Sequence, residues 1–177
     1  LDAPDFIDAF WRSLALAAGA ATLAALVAVP AGMAIAWNQF SGREALLGLL
    51  LSQLMVPHVV LGIALLRYLT QIGASGTLWG LTVAHTVIVL PYVLRLVVAA
   101  ATGFDRSLVQ AAQSLGASGW TVFRRIELPL IVPGVAGGWL IAFINSFDEL
   151  TMSLFVASAS TQTLPVKMYN HIANTID

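Results

Sequence analysis

The sequence has 177 residues, of which 59% are hydrophobic and 10% are charged, and its mean hydropathy is +0.87. This composition is too apolar for a water-soluble domain of this length, so it predicts a membrane protein. The formal net charge of −1 provides no basic field for binding nucleic acid. The absence of cysteine excludes disulfides, thiolate metal sites and a cysteine nucleophile.

Long uncharged intervals predict four membrane-spanning helices. Each interval can hold the roughly 20 residues that are needed to cross about 30 Å of hydrocarbon. The predicted spans cover residues 12–37, 45–67, 77–101 and 128–148. Helices are expected rather than strands, because the segments are uniformly apolar and do not alternate as the strands of a barrel would.

Prolines and small residues mark features within these spans. A proline kinks a helix one turn before itself, and Pro30, Pro57, Pro91 and Pro133 interrupt the four spans. Small residues at four-residue spacing allow helix backbones to approach closely in lipid. They occur at Ala20, Ala24, Ala28 and Gly32 in the first span, and at Gly134 and Gly138 in the fourth. Both sets predict helix contacts.

The basic residues near the span ends predict an orientation. We expect one group to be cytoplasmic, namely Arg43, Arg106, Arg124 and Arg125. The group on the other side is Arg12, Arg67 and Lys167. Residues 102–127 then form the large cytoplasmic loop. The uncharged residues 150–166 are rich in Ser and Thr, and we expect a loop or an interfacial segment there.

The cytoplasmic loop carries signals for two short helices. Asp105 can cap the first helix, Gly116 supplies its stop, and Ser118 can begin the second. The apolar residues that share one face of the first helix are Leu108, Ala112 and Leu115. This face predicts either a docking element for a soluble partner or an amphipathic helix that lies on the membrane surface.

A fixed spacing of residues runs through the same loop. Its members are Gln110-Ala111-Ala112, Gly116 and Ile126-Glu127-Leu128-Pro129. The pattern resembles the EAA loop in the permease subunits of binding-protein-dependent ABC importers. Gln110 stands where that family usually has glutamate, but glutamine keeps the length and the hydrogen-bonding reach, so we expect docking to survive. Residues 103–108, 146–151 and 163–166 are similar to the second permease of spermidine/putrescine-type importers.

This resemblance implies the architecture. The expected fold is all-α, a polytopic membrane helix bundle of the type I ABC importer permease kind, with four spans and a cytoplasmic coupling-helix loop at residues 102–127. Residues 1–177 then form a single transmembrane domain. Because family members have more spans than this chain, we expect one further span before Leu1 and one after Asp177. The implied location is the bacterial inner membrane, as a multi-pass protein.

The resemblance also implies partners. In this family the first helix of the loop seats in a groove of the ATP-hydrolysing subunit. The residues implied for that coupling are Gln110, Ala111, Ala112, Leu115, Gly116 and Ala117. The implied partners are an ATP-binding-cassette ATPase dimer, a second permease subunit that is favoured to be a different chain, an extracytoplasmic solute-binding protein and the lipid bilayer. We expect no cofactor, since ATP is bound by the partner and the sequence contains no GxxxxGK[ST] phosphate loop.

An aromatic stripe in the fourth span leads towards two carboxylates. The candidate substrate-path residues are Trp139, Phe143, Asn145, Phe147, Asp148 and Glu149. Carboxylates at the mouth of a path would attract an organic cation, and aromatic faces would hold it by cation–π contact. The alternative is that the aromatic residues pack against a helix or lipid while the two acids sit in the membrane interface.

Two histidines, His58 and His85, also fall within predicted spans. Neither has a metal partner at helical spacing, and a lone histidine is more often a hydrogen-bonded packing residue. We therefore expect no metal site and no catalytic residue.

Together, the residues and the resemblance predict a transport subunit of an ATP-driven importer that is not itself an enzyme. It would form the path for a small solute, with a polyamine or a related organic amine favoured. The alternative is an ion-coupled secondary transporter or channel subunit, which needs intramembrane charges that the spans hardly offer. An intramembrane enzyme using His58, His85 or Asp148 ranks last, because no HExxH, GxSxG or paired-aspartate pattern is present.

Overall fold

In a computed structural model of the protein, which describes residues 3–175, all of the described regular elements are helical. The long helices are α1 (Ala3–Trp37), α4 (Leu78–Thr102) and α7 (Leu128–Phe147). The shorter helices are α2 (Arg43–Ser52), α3 (His58–Gln71), α5 (Ser107–Ser114), α6 (Gly119–Val122), α8 (Thr151–Val156) and α9 (Leu164–Thr175). A 3₁₀ turn at Gln53–Met55 follows α2, and a π-helical segment at Phe123–Glu127 joins α6 to α7. The spans expected before Leu1 and after Asp177 lie outside the described residues.

Within the described residues, three helical stretches are long and apolar enough to cross a bilayer. They cover Asp5–Trp37, Leu78–Thr102 and Gly119–Phe147. A continuous helix satisfies its own backbone hydrogen bonds, as hydrocarbon requires. The stretches correspond to the first, third and fourth predicted spans, although the first begins earlier than predicted and the last begins inside the loop.

The second predicted span, residues 45–67 with Pro57 inside it, is divided into two helices rather than kinked within one. Arg43–Met55 and His58–Gln71 meet at an angle of 103°. Val56 is extended, with φ −83° and ψ 126°, because the ring of Pro57 disfavours helical backbone in the residue before it. The two pieces together are apolar enough to count as one broken span, which raises the number of candidate spans to four.

The other three prolines do not divide their helices. Pro30, Pro91 and Pro133 lie inside α1, α4 and α7, which continue through them. A proline removes one backbone donor, and a long helix packed against neighbours can absorb that loss. Of these four prolines, Pro57 is therefore the one that breaks its helix.

Helices α1, α4 and α7 pack together through the predicted small residues. The side chains of Ala20, Ala24 and Ala28 are fully buried. A methyl group at Gly32 would lie 2.7 Å from Val97 Cγ1 on α4. A methyl group at Gly134 would lie 2.5 Å from Ala100 Cβ. These contacts confirm that the small residues let the helix backbones approach closely.

Contacts at the two ends of the bundle define its directions. The indole Nε1 of Trp37 donates to the Ala101 carbonyl at 3.0 Å, so α1 and α4 end at the same end of the bundle. At the opposite end, Arg12 Nη1 donates to the Gln162 carbonyl at 3.0 Å. Lys167 Nζ also lies 2.8 Å from Asp5 Oδ2 there. Residues 103–127 thus leave the bundle at the end opposite to Arg12 and Lys167.

The prediction that residues 150–166 form a loop or an interfacial segment is wrong for α8. Met152, Ser153 and Val156 are buried inside the bundle, where α8 packs on α3 and α4. A methyl group at Gly62 of α3 would lie 2.9 Å from the Phe155 ring. Ser153 Oγ donates to the Glu149 carbonyl at 3.0 Å and lies 2.9 Å from His85 Nε2, and these bonds make the burial of this hydroxyl possible.

Candidate functional site

The predicted first helix of the loop is present as α5, and both of its predicted end signals are confirmed. Asp105 Oδ1 accepts a hydrogen bond from the Ser107 N–H at 2.9 Å, which holds the pKa of Asp105 below its ordinary value. At the other end, the Ala117 N–H donates to the Ala112 carbonyl and the Gly116 N–H to Gln113. Gly116 has φ +85°, a left-handed conformation that favours glycine at a helix end.

The apolar face of α5 is uncovered. Val109 is buried and holds the helix to the protein, whereas Leu108 is 50% exposed and Leu115 is 89% exposed. Gln110, Ala111 and Gly116 are exposed as well, and Ala112 and Ala117 are half-buried. An exposed leucine face on a short helix outside the bundle is typical of an interaction surface. We call the six residues predicted for coupling the α5 surface: Gln110, Ala111, Ala112, Leu115, Gly116 and Ala117.

The aromatic stripe of α7 is continuous and runs along α1. The Trp139 and Phe143 rings are stacked with centroids 5.4 Å apart, and Phe143 and Phe147 follow at 6.1 Å. Trp139 Nε1 donates to Thr22 Oγ1 on α1 at 3.1 Å, and the Phe10 ring lies 5.9 Å from Phe147. The stripe thus forms a ladder from mid-bundle to the end where α1 begins.

The two acidic residues after the stripe have different surroundings. Asp148 is exposed, and its carboxylate has no hydrogen-bond partner among the described residues. It lines a cleft of about 340 Å³ whose walls include Phe147 and Tyr169. Glu149 is only 8% exposed and accepts hydrogen bonds from His58 Nδ1 at 2.7 Å and from the Met152 N–H at 2.8 Å. Asp148 is therefore the carboxylate of the two that faces open space.

Asn145 lies near the stripe but is engaged within its own helix. Its Nδ2 donates to the Ile141 carbonyl at 2.8 Å. The α7 candidates all lie towards the end of the bundle where α1 begins, whereas the α5 surface lies at the opposite end. The structure therefore brings each predicted set together and separates the two sets along the length of the bundle.

A buried polar network around His85 was missed as a network by the sequence reasoning. His85 Nδ1 lies 2.9 Å from Ser146 Oγ of α7, and its Nε2 lies 2.9 Å from Ser153 Oγ of α8. One ring nitrogen donates and the other accepts, so both hydroxyl groups are satisfied. The signal that could have revealed it is the spacing of Ser146, Glu149 and Ser153 at i, i+3 and i+7, together with two histidines in the predicted spans. Ser146 and Ser153 contact His85, and Glu149 contacts His58.

The described residues contain no group of three or more His, Cys, Asp or Glu side chains arranged to hold a metal ion. His58 binds Glu149 and His85 binds two serines, so both histidines act in hydrogen bonds between helices. Their interpretation as packing residues fits these contacts.

Comparison with known proteins finds relatives that are all named as permease proteins of transport systems. The permease protein PotC of the spermidine/putrescine transport system of Haemophilus influenzae is 37% identical over 93% of this chain and 64% of its own length. The putrescine transport system permease protein PotI of Escherichia coli is 32% identical over 94% of this chain and 62% of its length. The molybdenum transport system permease protein ModB of H. influenzae is 35% identical over 83% and 73%. The chain thus spans under two thirds of the length of PotC and PotI.

The fold has a relative among solved structures. The MetNI methionine ABC transporter in an inward-facing conformation matches with a TM-score of 0.78 and 19% identity, over 97% of this chain and 83% of that one. This likeness confirms the expected all-α membrane bundle. The model of the family described as "Binding-protein-dependent transport system inner membrane component" matches residues 28–175. That match confirms the resemblance found in the loop, and the chain belongs to the family of inner membrane components of binding-protein-dependent transport systems.

Proposed function

We propose that the protein is the transmembrane permease subunit of an ATP-driven importer in the bacterial inner membrane. It forms the translocation path for a small solute that an extracytoplasmic binding protein delivers, and it couples to a separate ATPase dimer through the α5 surface. A second, different permease subunit completes the path. ATP is hydrolysed on the partner, and this chain carries out no chemical reaction.

The observation that carries this proposal is the exposed α5 surface of a chain that belongs to a transport family. Leu115 is 89% exposed on an element that stands outside the bundle. Leaving such side chains in water costs roughly 1.5–3 kcal/mol each relative to burial, so a partner that covers them is favoured. Residues 102–127 are accordingly the cytoplasmic coupling loop.

Substitution of the exposed leucine tests the coupling role. Leu115→Asp in the full-length protein should abolish copurification of the ATPase while leaving membrane insertion intact, because the side chain supports no internal packing. Gln113→Asp is the matched control, since Gln113 is exposed on the same helix but points away from the leucine face. Retention of the ATPase by Leu115→Asp would contradict the docking assignment.

We propose an organic amine, with polyamines favoured, as the solute. Two relatives are named for spermidine/putrescine or putrescine transport, and one is named for molybdenum. The open carboxylate of Asp148, next to the Phe147 ring and the cleft that they line, suits a cation. The path continues along Phe143 and Trp139, with Asn145 beside them. Glu149 lies at the entrance of the path, where its hydrogen bond to His58 holds it in place.

Stimulation of ATP hydrolysis by candidate solutes tests the substrate class. In the reconstituted complex with its binding protein, polyamines should stimulate hydrolysis, and Asp148→Asn should reduce polyamine uptake about tenfold through the loss of one charge contact. Glu44→Gln is the control, because Glu44 is an exposed carboxylate at the opposite end of the bundle. A complex that responds to no amine would refute the substrate class, and uptake by this chain alone under an ion gradient would refute ATP-driven import.

A further inference from the structure

The end of α1 is tied to the loop that carries α5 by a cluster of three side chains, Trp37, Phe104 and Arg106. Trp37 is the last residue of α1, and its carbonyl has no partner within the helix. Arg106 Nη1 donates to that carbonyl at 3.1 Å, and its guanidinium carbon lies 5.3 Å from the centroid of the Trp37 ring. The Phe104 ring lies 6.1 Å from the same indole.

The charge of Arg106 suits this position. The last turn of α1 contains no basic residue, so its own sequence leaves the negative end of the helix dipole without a cation. Arg106 supplies a cation from a separate segment, and the aromatic face beneath it adds a cation–π contact. Three interactions therefore hold Arg106 on Trp37: the hydrogen bond to its carbonyl, the attraction of the helix dipole and the cation–π contact with its ring.

Trp37 also contacts the second long helix that ends here. Its Nε1 donates to the carbonyl of Ala101, the penultimate residue of α4. The indole is half-buried against a small apolar cluster that includes Met33 and Ile131. One side chain thus contacts the ends of α1 and α4 and the segment that begins α5.

Helix α5 has few other attachments to the bundle. Within the described chain, its main packing contacts are with α6 and the π-helical segment, which lead forward to α7. Arg106 is the residue that precedes α5 and connects it backward to α1. A displacement of α5 can therefore reach α7, and α4 by way of residues 103–106, through the chain itself. Its side-chain link to α1 is the contact between Arg106 and Trp37, and Trp37 in turn bonds to Ala101 at the end of α4.

We propose that Arg106 and Trp37 are positioning residues that transmit movement of the α5 surface to α1 and α4, an inference that rests on the proposed coupling role of that surface. The α5 surface binds the partner, whereas Arg106 and Trp37 carry its displacement into the bundle. Loss of the link leaves binding and ATP hydrolysis in place but separates hydrolysis from transport.

The test is the number of solute molecules imported per ATP hydrolysed by the reconstituted full-length complex. Arg106→Gln should lower this ratio about fivefold through loss of the charged hydrogen bond and the cation–π contact, while the ATPase still copurifies. Arg106→Lys should recover part of the ratio, because an ammonium can still lie over the ring. Trp37→Phe keeps a ring but loses the bond to Ala101, so its ratio should fall between those of wild type and Arg106→Gln.

Arg125→Gln is the matched control, since it removes one positive charge from the same loop at an exposed side chain with no hydrogen bond in the described structure. An unchanged ratio in Arg106→Gln, or an equal fall in Arg125→Gln, would overturn the positioning role. Loss of the ATPase from Arg106→Gln would also overturn it, because Arg106 would then belong to the docking surface. A wild-type complex that shows no ATP-dependent uptake would instead refute the proposed function itself, so the two failures are distinguishable.

Discussion

Two regions of the bundle are held together by different means. Helices α1, α4 and α7 approach closely through alanines and glycines, and most of their contacts are apolar. Three hydrogen bonds join them as well: Trp37 to Ala101, Trp139 to Thr22 and His85 to Ser146. The region around α3 and α8 is connected by polar side chains: His58 to Glu149, His85 to Ser153, and Gln53 to the Val87 carbonyl. Close apolar packing has no strong angular preference, whereas each polar bond fixes a specific pair of atoms.

The difference suggests what each region contributes. A seam of small residues excludes lipid and tolerates little change in spacing, so α1, α4 and α7 form the rigid frame. The broken span and α8 have few residues with which to bury apolar area, so hydrogen bonds must specify where they dock. One of these bonds is made by Glu149, the residue next to Asp148 in the candidate path.

Removal of His85 should have the largest effect on the stability of the polar region. His85→Ala leaves a cavity in place of a fully buried ring and breaks its bonds to Ser146 and Ser153, so we expect a loss of roughly 2–4 kcal/mol. The measurement is the free energy of unfolding of the full-length protein in mixed micelles. Ser153→Ala, which breaks one bond and creates almost no cavity, should cost less. Equal costs for the two variants would mean that the cavity is unimportant.

A methyl group added to α7 should destabilise the protein where α7 packs closely against α4, but not where it has space. At Gly134 it would lie 2.5 Å from Ala100 Cβ and 2.9 Å from the Leu96 carbonyl oxygen, so Gly134→Ala must push α7 away from α4. We expect a loss of about 1–3 kcal/mol, seen as a lower thermal unfolding midpoint in detergent. Gly137→Ala is the matched control on the same helix, because its nearest neighbour would be Leu96 Cδ1 at 3.8 Å. A control as unstable as Gly134→Ala would refute the close approach.

Much of the frame could be predicted from the sequence, because charge-free length and small-residue spacing are local properties. The spans of α1, α4 and α7, the packing at Gly32 and both ends of α5 followed from such signals. The caps of α5 depend on residues within a few positions of each other, as the bond from Ser107 to Asp105 shows. Local hydrogen bonds of this kind need no knowledge of the rest of the fold.

The polar region could not be predicted in the same way, because its partners are distant in the chain. His85 meets serines 61 and 68 residues away, and His58 meets a carboxylate 91 residues away. Pro57 indicated a kink, but the angle of 103° places α3 against α8, a helix that begins at Thr151, far from Pro57 in the chain, and so gives no local signal at the proline. Hydroxyl groups also misled the prediction for α8, since mean hydropathy cannot tell whether a serine meets water or a buried histidine.

The contact between His58 and Glu149 should have a measurable but moderate energy. A double-mutant cycle with His58→Asn and Glu149→Gln isolates it. In Glu149→Gln the side-chain amide oxygen can still accept the hydrogen bond from the Met152 N–H, so that this second bond is kept. We expect a coupling energy of about 0.5–1.7 kcal/mol, the range of hydrogen bonds between membrane helices. Additive effects of the two substitutions would show that the pair contributes nothing beyond its separate contacts.

The smallest expected effect lies outside both regions, at the exposed start of α5. The pKa of Asp105 is below the ordinary value of 3.8, so its bond to Ser107 stabilises the helix above that value and is lost as the pH falls through the lowered pKa. We therefore compare the hydrogen-exchange rate of the Ser107 amide in the wild type with its rate in Asp105→Asn at the same pH. The ratio of the two rates should be constant from neutral pH to about pH 5 and rise only in stronger acid. Asparagine caps a helix almost as well as aspartate but does not titrate in this range, whereas Asp105→Ala should expose the amide at every pH. A wild-type profile that parallels Asp105→Asn into strong acid would show that the carboxylate charge does not hold this bond.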